Sequence, residues 1–187
     1  MGEDSMTAAA AHIPRPSHTG DQGAPAPSAQ RAFRHVLGHF ASGITVITAP
    51  GEGGGHSPAG FTCQSFSALS LDPPMVAFLV GRTSATWPRI ARAGVFCVNI
   101  LAAGQSQLCR AFARSGADKF AGVGWDASRG TGSPVLRGAL AWIDCVIDAV
   151  HTGGDHFIVT GRVQQLSAAP QGAPLLFYRG AVGGFRA

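Results

Sequence analysis

Short β-prone runs separated by glycine and proline constrain the fold of this 187-residue chain more than any other feature. Apolar and β-branched side chains dominate six of these runs, at residues 44–48, 75–80, 95–101, 139–150, 156–166 and 175–178. Helical spacing of apolar residues occurs only in short inserts, near residues 29–40, 87–92 and 105–113. This order predicts a mainly β, antiparallel barrel with a few peripheral helices, since repeated strand–helix–strand units would build a parallel sheet instead. No G-x-G-x-x-G motif follows a strand, so a Rossmann nucleotide site is not indicated.

The N-terminal part differs in composition from the rest of the chain. Residues 1–28 are rich in alanine, proline, glycine and histidine and lack a hydrophobic period, so we expect a disordered tail. A short amphipathic helix that ends by Gly43 is predicted next, from four apolar side chains at helical spacing: Phe33, Val36, Leu37 and Phe40. At 45% hydrophobic composition the chain can bury one core, which predicts a single folded domain over residues 29–187.

Charge and cysteine usage exclude several classes of protein. The net charge of +4 is spread out, and Lys119 is the only lysine, which argues against a nucleic-acid-binding protein with its contiguous basic stripe. No apolar run approaches the roughly 20 residues that span a membrane, and no secretory signal is visible, so we expect a soluble, cytoplasmic protein without membrane contact. The four cysteines form no C-x-x-C pair and the histidines do not cluster, so we expect buried, reduced thiols and no metal site.

One polar run, GFTCQSFSALSLDPP at residues 60–74, carries the strongest functional signal. Read as a strand, it places Thr62, Gln64 and Phe66 on one face and alternate hydroxyl- or thiol-bearing residues on the other. Hydroxyls and amides on both faces suit hydrogen bonding to a flat polar ligand such as a flavin ring better than they suit a dry core. An ordinary half-solvated edge strand is the alternative, since threonine and serine are common on such surfaces.

Further segments match one family in the same order along residues 31–185. They are FRHVLGHFASGITVIT, GFTCQSFSALSLDPPMVAF, SATWPRI, GVFCVNIL, DKF, GSPVLRGALAWIDC, GGDHFIVTGRV and LLFYRG. Through these motifs the chain resembles the flavin reductase-like, FMN-binding split-barrel family, which includes the reductase components of two-component flavin-dependent monooxygenases. The resemblance implies a Greek-key split β-barrel.

The resemblance also implies a flavin site. Residues matching the positions around the isoalloxazine ring are Gly60, Phe61, Thr62, Gln64 and Ser65, although many members have asparagine where this chain has Gln64. Residues matching the loop for the ribityl and phosphate groups are Val80, Gly81, Ser84, Ala85 and Thr86, and free backbone N–H groups beside hydroxyls suit an anion. Packing is the alternative role for Phe61, and capping of the next helix is the alternative for Ser84 or Thr86.

Three further motifs match positions near the nicotinamide or the phosphate. His156, in GGDH, matches the histidine that contacts the pyridine nucleotide and is the predicted catalytic residue, while Asp155 is expected to order the turn. Tyr178 and Arg179 belong to FYRG, which often continues to a second aromatic residue where this chain has Val182. For Lys119, in DKF, two roles stay open: reaching the flavin phosphate from a neighbouring subunit, or forming a surface salt bridge.

The implied activity is that of an NAD(P)H:flavin oxidoreductase that reduces FMN or FAD. No acid–base or nucleophile dyad is required, because the flavin accepts the hydride and the protein aligns the two rings. Reduced flavin would diffuse to a separate flavin-dependent monooxygenase. A small split barrel cannot enclose a flavin alone, so we expect a homodimer with each flavin near the interface. A non-catalytic flavin-binding or electron-carrier protein is the alternative, and the choices between FMN and FAD and between NADH and NADPH stay open.

Overall fold

A seven-stranded antiparallel sheet forms most of the molecule. The computed structural model describes residues 27–51, 57–116 and 118–184. Its strands are β1 (Ser42–Gly43), β2 (Thr45–Ala49), β3 (Ala59–Cys63), β4 (Phe66–Leu71), β5 (Pro74–Gly81), β6 (Val95–Ile100), β7 (Trp125–Ala127), β8 (Pro134–Leu136), β9 (Ala141–Gly153), β10 (His156–Ala168), β11 (Leu175–Tyr178) and β12 (Ala181–Gly184). Its helices are α1 (Pro27–Leu37), α2 (Trp87–Ala93) and α3 (Ser106–Ala113). The strand order in the seven-stranded sheet is β3-β2-β6-β9-β10-β5-β4. The predicted mainly β, antiparallel fold is confirmed.

The sheet curls into a barrel because its two edge strands are consecutive in the chain. Only Gln64 and Ser65 lie between β3 and β4, although these strands occupy opposite ends of the strand order. Two residues span a few ångströms, so the two edges must lie side by side. At this seam the Leu79 N–H donates to the Ser65 carbonyl at 2.9 Å, and the Cys63 thiol donates to the Leu79 carbonyl at 3.6 Å.

Two apolar clusters hold this arrangement together. The first fills the barrel with side chains from most of its strands, including Phe78, Phe96 and Val159, and α2 contributes Trp87 and Ile90. A second cluster lies on the outer side of β2, where α3, β8 and β11 pack, and includes Val46, Leu101, Phe112, Leu136 and Leu175. The site described below lies where the seam of the barrel meets α2 and α3.

The polar run at residues 60–74 is not one strand, contrary to the expectation. It forms β3, which pairs with β2, and β4, which pairs with β5 on the other edge. The alternation of side chains predicts strand conformation on both sides of the break. The alternation cannot predict the break at Gln64 and Ser65. There the chain passes from one edge strand of the sheet to the other, which is possible only because the whole sheet closes into a barrel.

Other element boundaries differ more modestly. Helix α1 starts two residues before the predicted domain boundary and ends at Leu37 rather than Gly43. Residues 125–127, expected to be irregular, form β7 by pairing with β8, and the glycine-rich end forms β12 against β11. The predicted tail, apart from its last two residues, and most of the predicted hairpin connection at 50–57 lie outside the described residues.

The expected burial of the four cysteines is confirmed. All four thiols, Cys63, Cys97, Cys109 and Cys145, are free and buried. Burial raises the pKa of Cys63 to about 11 and that of Cys145 to about 12, so these thiols stay protonated at neutral pH. Within the described ranges, no helix has the length and apolar character needed to cross a membrane.

Candidate functional site

A cleft of about 240 Å³ opens at the seam of the barrel, where β3 and the two residues that follow it lie beside β5. The start of β10 and the loop after β5 complete its walls. Among the residues expected from the sequence, the cleft brings together Phe61, Thr62, Gln64, Ser65, Val80, Gly81, Ser84 and His156. Cys63 and Leu79 also line it and were not expected. Leu79 lies two residues from Gly81 on β5, so alternation along that strand was the signal that could have found it.

The polar edge of the cleft comes from the two residues that connect β3 to β4. The side chains of Gln64 and Ser65 are exposed and form no hydrogen bond with other residues that the structure describes. They therefore present an amide and a hydroxyl that a ligand can use for donation and acceptance. Phe61 and Leu79 provide apolar surface beside them, which gives the mixed lining typical of small-molecule sites.

Thr62 and Phe61 differ from their neighbours in having partners within the protein. The Thr62 Oγ1 donates to the Cys109 carbonyl of α3 at 2.7 Å, so its proton is not available to a ligand. The Phe61 ring packs against the barrel core, with its centroid 6.0 Å from that of Phe78. Val80 is only 3% exposed, and its side chain lies in the same core. All three shape the wall of the cleft from behind.

The hydroxyl groups in the loop between β5 and α2 have different hydrogen-bond partners. The Ser84 Oγ accepts a hydrogen bond from the Trp87 N–H at 3.2 Å, which confirms the capping alternative for this residue. Thr86 makes no such cap, and its Oγ1 instead accepts from the Lys119 ammonium at 3.3 Å. Ala85 is exposed and does not line the cleft. Ser84 is thus the hydroxyl of this loop that borders the cleft.

His156 reaches the cleft from the tip of the long β9–β10 hairpin. Gly154 has φ +64° in the turn, a conformation that favours glycine, and His156 pairs with Gly81 across to β5. A Cβ atom placed on Gly81 would lie 3.9 Å from the His156 Nε2, so this edge of the ring faces the strand that forms the cleft wall. The absence of a side chain at Gly81 leaves room beside the imidazole.

Asp155 has a role beyond the turn that the sequence indicated. Its Oδ1 lies 2.7 Å from the His156 Nδ1. The hydrogen bond and then the charge of His156 lower the pKa of Asp155, so the carboxylate is ionised at neutral pH and accepts from Nδ1–H. That contact orients the ring and leaves Nε2 available on the cleft side. The adjacent positions of Asp155 and His156 in GGDH were a possible signal for this pair.

Lys119 forms hydrogen bonds within its own chain and no salt bridge with the described residues. The surface salt bridge, one of the two roles considered for it, is therefore wrong. Its half-buried ammonium donates to the Gly60 carbonyl at 3.0 Å, the Phe112 carbonyl at 3.1 Å and Thr86 Oγ1 at 3.3 Å. Burial, and then the nearby charge of Arg89, lower the pKa of Lys119. Lys119 therefore joins β3, α3 and the loop before α2 directly behind the cleft.

Besides Ala85, Thr86 and Lys119, three more of the predicted residues lie outside the lining of the cleft. Gly60 is buried against α3, where a Cβ atom would meet the Phe112 ring at 2.7 Å. Tyr178 and Arg179 lie at the β11–β12 turn of a separate three-stranded sheet, with φ +48° at Arg179. The Tyr178 ring is 46% exposed and meets His39 edge-on, with centroids 6.5 Å apart. Within the described ranges, no group of histidine, cysteine or carboxylate side chains could hold a metal ion.

Comparison with known proteins places this geometry in a family. A family model described as "Flavin reductase like domain" matches residues 37–186. The chain is 51% identical over 150 residues to the flavin-dependent monooxygenase, reductase subunit HsaB, of Rhodococcus jostii, covering 80% of this chain and 75% of that protein.

Two solved structures share the fold. The nitrilotriacetate monooxygenase component B homologue from Mycobacterium thermoresistibile is 49% identical with a TM-score of 0.80, over 85% of this chain and 88% of that chain. The NADH:FAD oxidoreductase of Streptomyces globisporus, solved in complex with NAD and FAD fragments, is 34% identical with a TM-score of 0.79, over 88% of this chain and 97% of that chain. These likenesses confirm the predicted split-barrel fold.

Proposed function

Because this chain belongs to the flavin reductase-like domain family, we propose that it is an NAD(P)H:flavin oxidoreductase that reduces FMN or FAD. One observation supports this most directly: a single cleft brings together an amide and a hydroxyl without side-chain partners among the described residues, a glycine-containing loop and an oriented imidazole. These groups are Gln64 and Ser65, the Gly81–Ser84 loop, and His156. The names of the relatives favour a catalytic reductase over a carrier that only binds flavin.

The residues of the cleft fit a flavin. Gln64 and Ser65 can donate to and accept from the polar rim of the ring, while Phe61 and Leu79 offer apolar contact. In this proposal the ribityl phosphate lies at the Ser84–Thr86 end of the loop after β5, where the Lys119 ammonium donates to Thr86 and provides positive charge. A bound flavin supplies the hydride acceptor and NADH supplies the hydride, so the protein has to align the two rings.

His156 is the residue that aligns the nicotinamide in this proposal. Asp155 orients the imidazole by accepting from Nδ1–H, so Nε2 is an acceptor in the neutral form of the ring. An acceptor at that position can bind the carboxamide N–H of a nicotinamide. NADH is the proposed donor, since the related oxidoreductase from Streptomyces globisporus is NADH-dependent by name.

We also propose that the protein is a homodimer with the cleft near the interface. Several large apolar side chains on the outer faces of β5, β9 and β10 are exposed: Leu79 at 39%, Val146 at 39% and Ile158 at 37%. Ile158 is the cross-strand neighbour of Leu79, which itself lines the cleft. A second subunit covering this surface would also close the open side of the cleft.

Reduced flavin leaves for a separate flavin-dependent monooxygenase in this account. The support is the name of the Rhodococcus jostii relative, a reductase subunit of such an enzyme. The open cleft, whose polar edge is exposed, permits release. The four free thiols agree with a reducing, cytoplasmic compartment.

Steady-state NADH oxidation with added FMN, FAD and riboflavin tests the activity. We expect NADH consumption that depends on added flavin and saturates with NADH, with FMN or FAD preferred to riboflavin. A matched assay with NADPH resolves the choice of donor. If NADH consumption is the same with and without the protein for every flavin, the reductase assignment is wrong.

A further inference from the structure

A second cleft, of about 210 Å³, lies between the β7–β8 hairpin and the seven-stranded sheet, and is called the β7–β8 cleft below. One wall consists of residues 126–129 and Val135, and the other of Trp142 from β9 and Gln165 from β10. It shares no lining residue with the cleft beside His156, from which Gln165 is separated by about 30 Å of extended strand. Its volume is below the roughly 300 Å³ at which sites for drug-sized ligands begin, so it suits a molecule of about one ring.

The apolar part of the lining favours a planar ligand. Trp142 is half-buried at the start of β9, and its ring has no aromatic partner among the residues that the structure describes. Ala127 and Val135 lie opposite it on the β7–β8 hairpin. A half-buried indole beside small apolar side chains offers a surface on which an aromatic ring can stack.

The polar groups of the lining are mainly hydrogen-bond donors. The side chains of Arg129, Trp142 and Gln165 form no hydrogen bond with other residues in the described ranges. An indole and a guanidinium only donate, while an amide can donate and accept. A ligand that satisfies these three groups together therefore has to supply acceptor atoms.

The charges around the β7–β8 cleft leave one cation without a counter-charge. Asp126, which lines the cleft, is paired with Arg137 through two hydrogen bonds of 3.0 and 2.8 Å. The buried carboxylate of Asp144 accepts from the Thr131 N–H at 3.0 Å and from the Thr131 Oγ1 at 2.5 Å. Arg129 has no ion pair within the described part of the chain. The charge that remains for a ligand is thus positive.

A β-bulge places Gln165 on the wall of this cleft. The register of β10 against β9 shifts between Val163 and Gln165, so that Gln165 lies opposite Asp144. In an unbroken register Gln165 would lie one position further along, opposite Ile143, whose side chain packs against the barrel core. The bulge therefore moves Gln165 to the face of the sheet that carries Trp142, since a slip of one residue exchanges the faces.

The loop that carries Arg129 is anchored to the sheet from below. Thr131, two residues further along, makes both of its hydrogen bonds to Asp144 on β9. The Ser128 Oγ accepts from the Thr131 N–H at 3.3 Å, and the Ser128 N–H donates to the Ser133 carbonyl at 2.9 Å. These bonds hold the position of the loop before any ligand binds, which lowers the entropic cost of binding.

We infer that the β7–β8 cleft is a second ligand site, which binds a small aromatic carboxylate. The ring stacks on Trp142, and the carboxylate accepts hydrogen bonds from Arg129 and Gln165. This site does not depend on the proposed reductase activity, because it shares no residue with the cleft beside His156.

The test uses benzoate as the probe, with two comparison molecules. Benzamide keeps the planar ring and removes the charge, and cyclohexanecarboxylate keeps the charge and removes the planar ring. Binding is followed by NMR through the indole N–H signals of Trp87, Trp125 and Trp142, the three tryptophans of the chain, and Trp142→Phe assigns the third signal. Benzoate should shift the Trp142 signal saturably and bind about three- to tenfold more tightly than either comparison molecule, as loss of the charge or of the stacking contact predicts.

Titrations with and without saturating FMN identify the cleft that benzoate occupies. The Kd for benzoate should be the same in both, because FMN would fill only the cleft beside His156. A protein that binds no FMN would contradict the proposed function, and the Trp142 signal would still report on the β7–β8 cleft.

A pair of charge-matched variants tests the role of Arg129. Arg129→Gln should raise the Kd for benzoate by about three- to tenfold and leave that for benzamide within about twofold, because it removes the charge-assisted hydrogen bond. Arg31→Gln, at an exposed position on α1, is the control and should change neither constant.

Four results would overturn the inference. These are a Trp142 signal that does not move or moves without saturation, loss of the benzoate shift on addition of FMN, benzamide binding as tight as that of benzoate, or an unchanged benzoate Kd in Arg129→Gln. Each of them leaves the proposed reductase activity intact, since NADH oxidation is measured separately.

Discussion

At the residue scale, the hydroxyls beside the cleft serve different purposes despite their similar chemistry. The Thr62 Oγ1 donates to α3, the Ser84 Oγ accepts from the first residue of α2, and the Ser65 Oγ has no partner among the described residues. The sequence pattern of a strand does not show which helix packs against that strand. Polar residues that are adjacent on one strand therefore cannot be assigned to different partners from the sequence. Only the fold shows that Thr62 is already paired.

We predict opposite effects for two substitutions on this run. Ser65→Ala should weaken flavin binding by about 1 kcal/mol and leave stability unchanged, because it removes one hydrogen bond to the ligand. Thr62→Val should lower the free energy of unfolding by about 1 kcal/mol, because it removes the bond to the Cys109 carbonyl. Denaturant unfolding and flavin titration of both variants give the comparison. If Thr62→Val is as stable as the wild type but loses much of its flavin affinity, the Thr62 hydroxyl binds the ligand and this prediction is wrong.

At the scale of elements, the contact between β3 and α3 depends on the missing side chain of Gly60. A Cβ atom at this position would lie 2.7 Å from the Phe112 Cε1 and 3.2 Å from the Ile47 carbonyl oxygen. The family resemblance assigned Gly60 to close approach of the flavin ring. In the structure, the close approach is that of the Phe112 ring, so α3 would have to move to admit an alanine.

Gly60→Ala should therefore destabilise the protein by about 1–3 kcal/mol, as overpacking in a filled core does. Gly43→Ala is the matched control, because a Cβ atom there meets nothing within 4 Å. Thermal unfolding of the two variants provides the measurement. A Gly60→Ala protein as stable as the control would show that α3 shifts at little cost.

Most elements could be predicted from the sequence, and the exceptions share one cause. The six apolar runs became strands and two of the helical inserts kept their predicted places, because side-chain periodicity reports burial of one face. The split between β3 and β4, and strands β7 and β12, depend on pairing with distant segments. Gly183 and Gly184 have little strand propensity of their own and adopt it by pairing with Leu176 and Leu175.

The site was predictable to the extent that its residues lie on contiguous motifs. The run at residues 61–65, the loop after β5 and His156 meet in one cleft, as their order in the family resemblance implied. Leu79 was missed although it lies two residues from Gly81 on β5, where the alternation of side chains was a signal for it. Lys119 was identified from its motif, but its partners could not be predicted.

At the scale of the whole molecule, large apolar side chains are exposed on both the barrel and α1. The side chains of α1 that predicted an amphipathic helix remain exposed, at 66% for Phe33, 67% for Val36 and 54% for Leu37. Leu79, Val146 and Ile158 on the sheet are exposed as well, and exposed apolar surface is typical of protein–protein interfaces when it is contiguous. This distribution is the basis of the proposed homodimer.

Light scattering after size exclusion should give about twice the chain mass of 19.1 kDa for the wild type at micromolar concentration. Ile158→Asp should shift the protein toward monomer and lower NADH oxidation, because it places a charge in the apolar surface beside the cleft. Ala121→Asp, on the exposed loop before β7, is the control and should stay dimeric. A monomeric wild type would exclude the dimer.

The central claim is that His156 aligns a nicotinamide with a flavin bound in the cleft. Anaerobic stopped-flow reduction of bound flavin by NADH, in the wild type and in His156→Ala, tests it most directly, with flavin binding titrated separately. The account predicts rapid, saturable reduction by the wild type and a rate or NADH affinity lower by about ten- to a hundredfold in the variant, as for misaligned reactants. The flavin Kd should change by less than about twofold, which is well below the effect of a lost hydrogen bond. Equal reduction kinetics in the two proteins, or no reduction by the wild type, would contradict it.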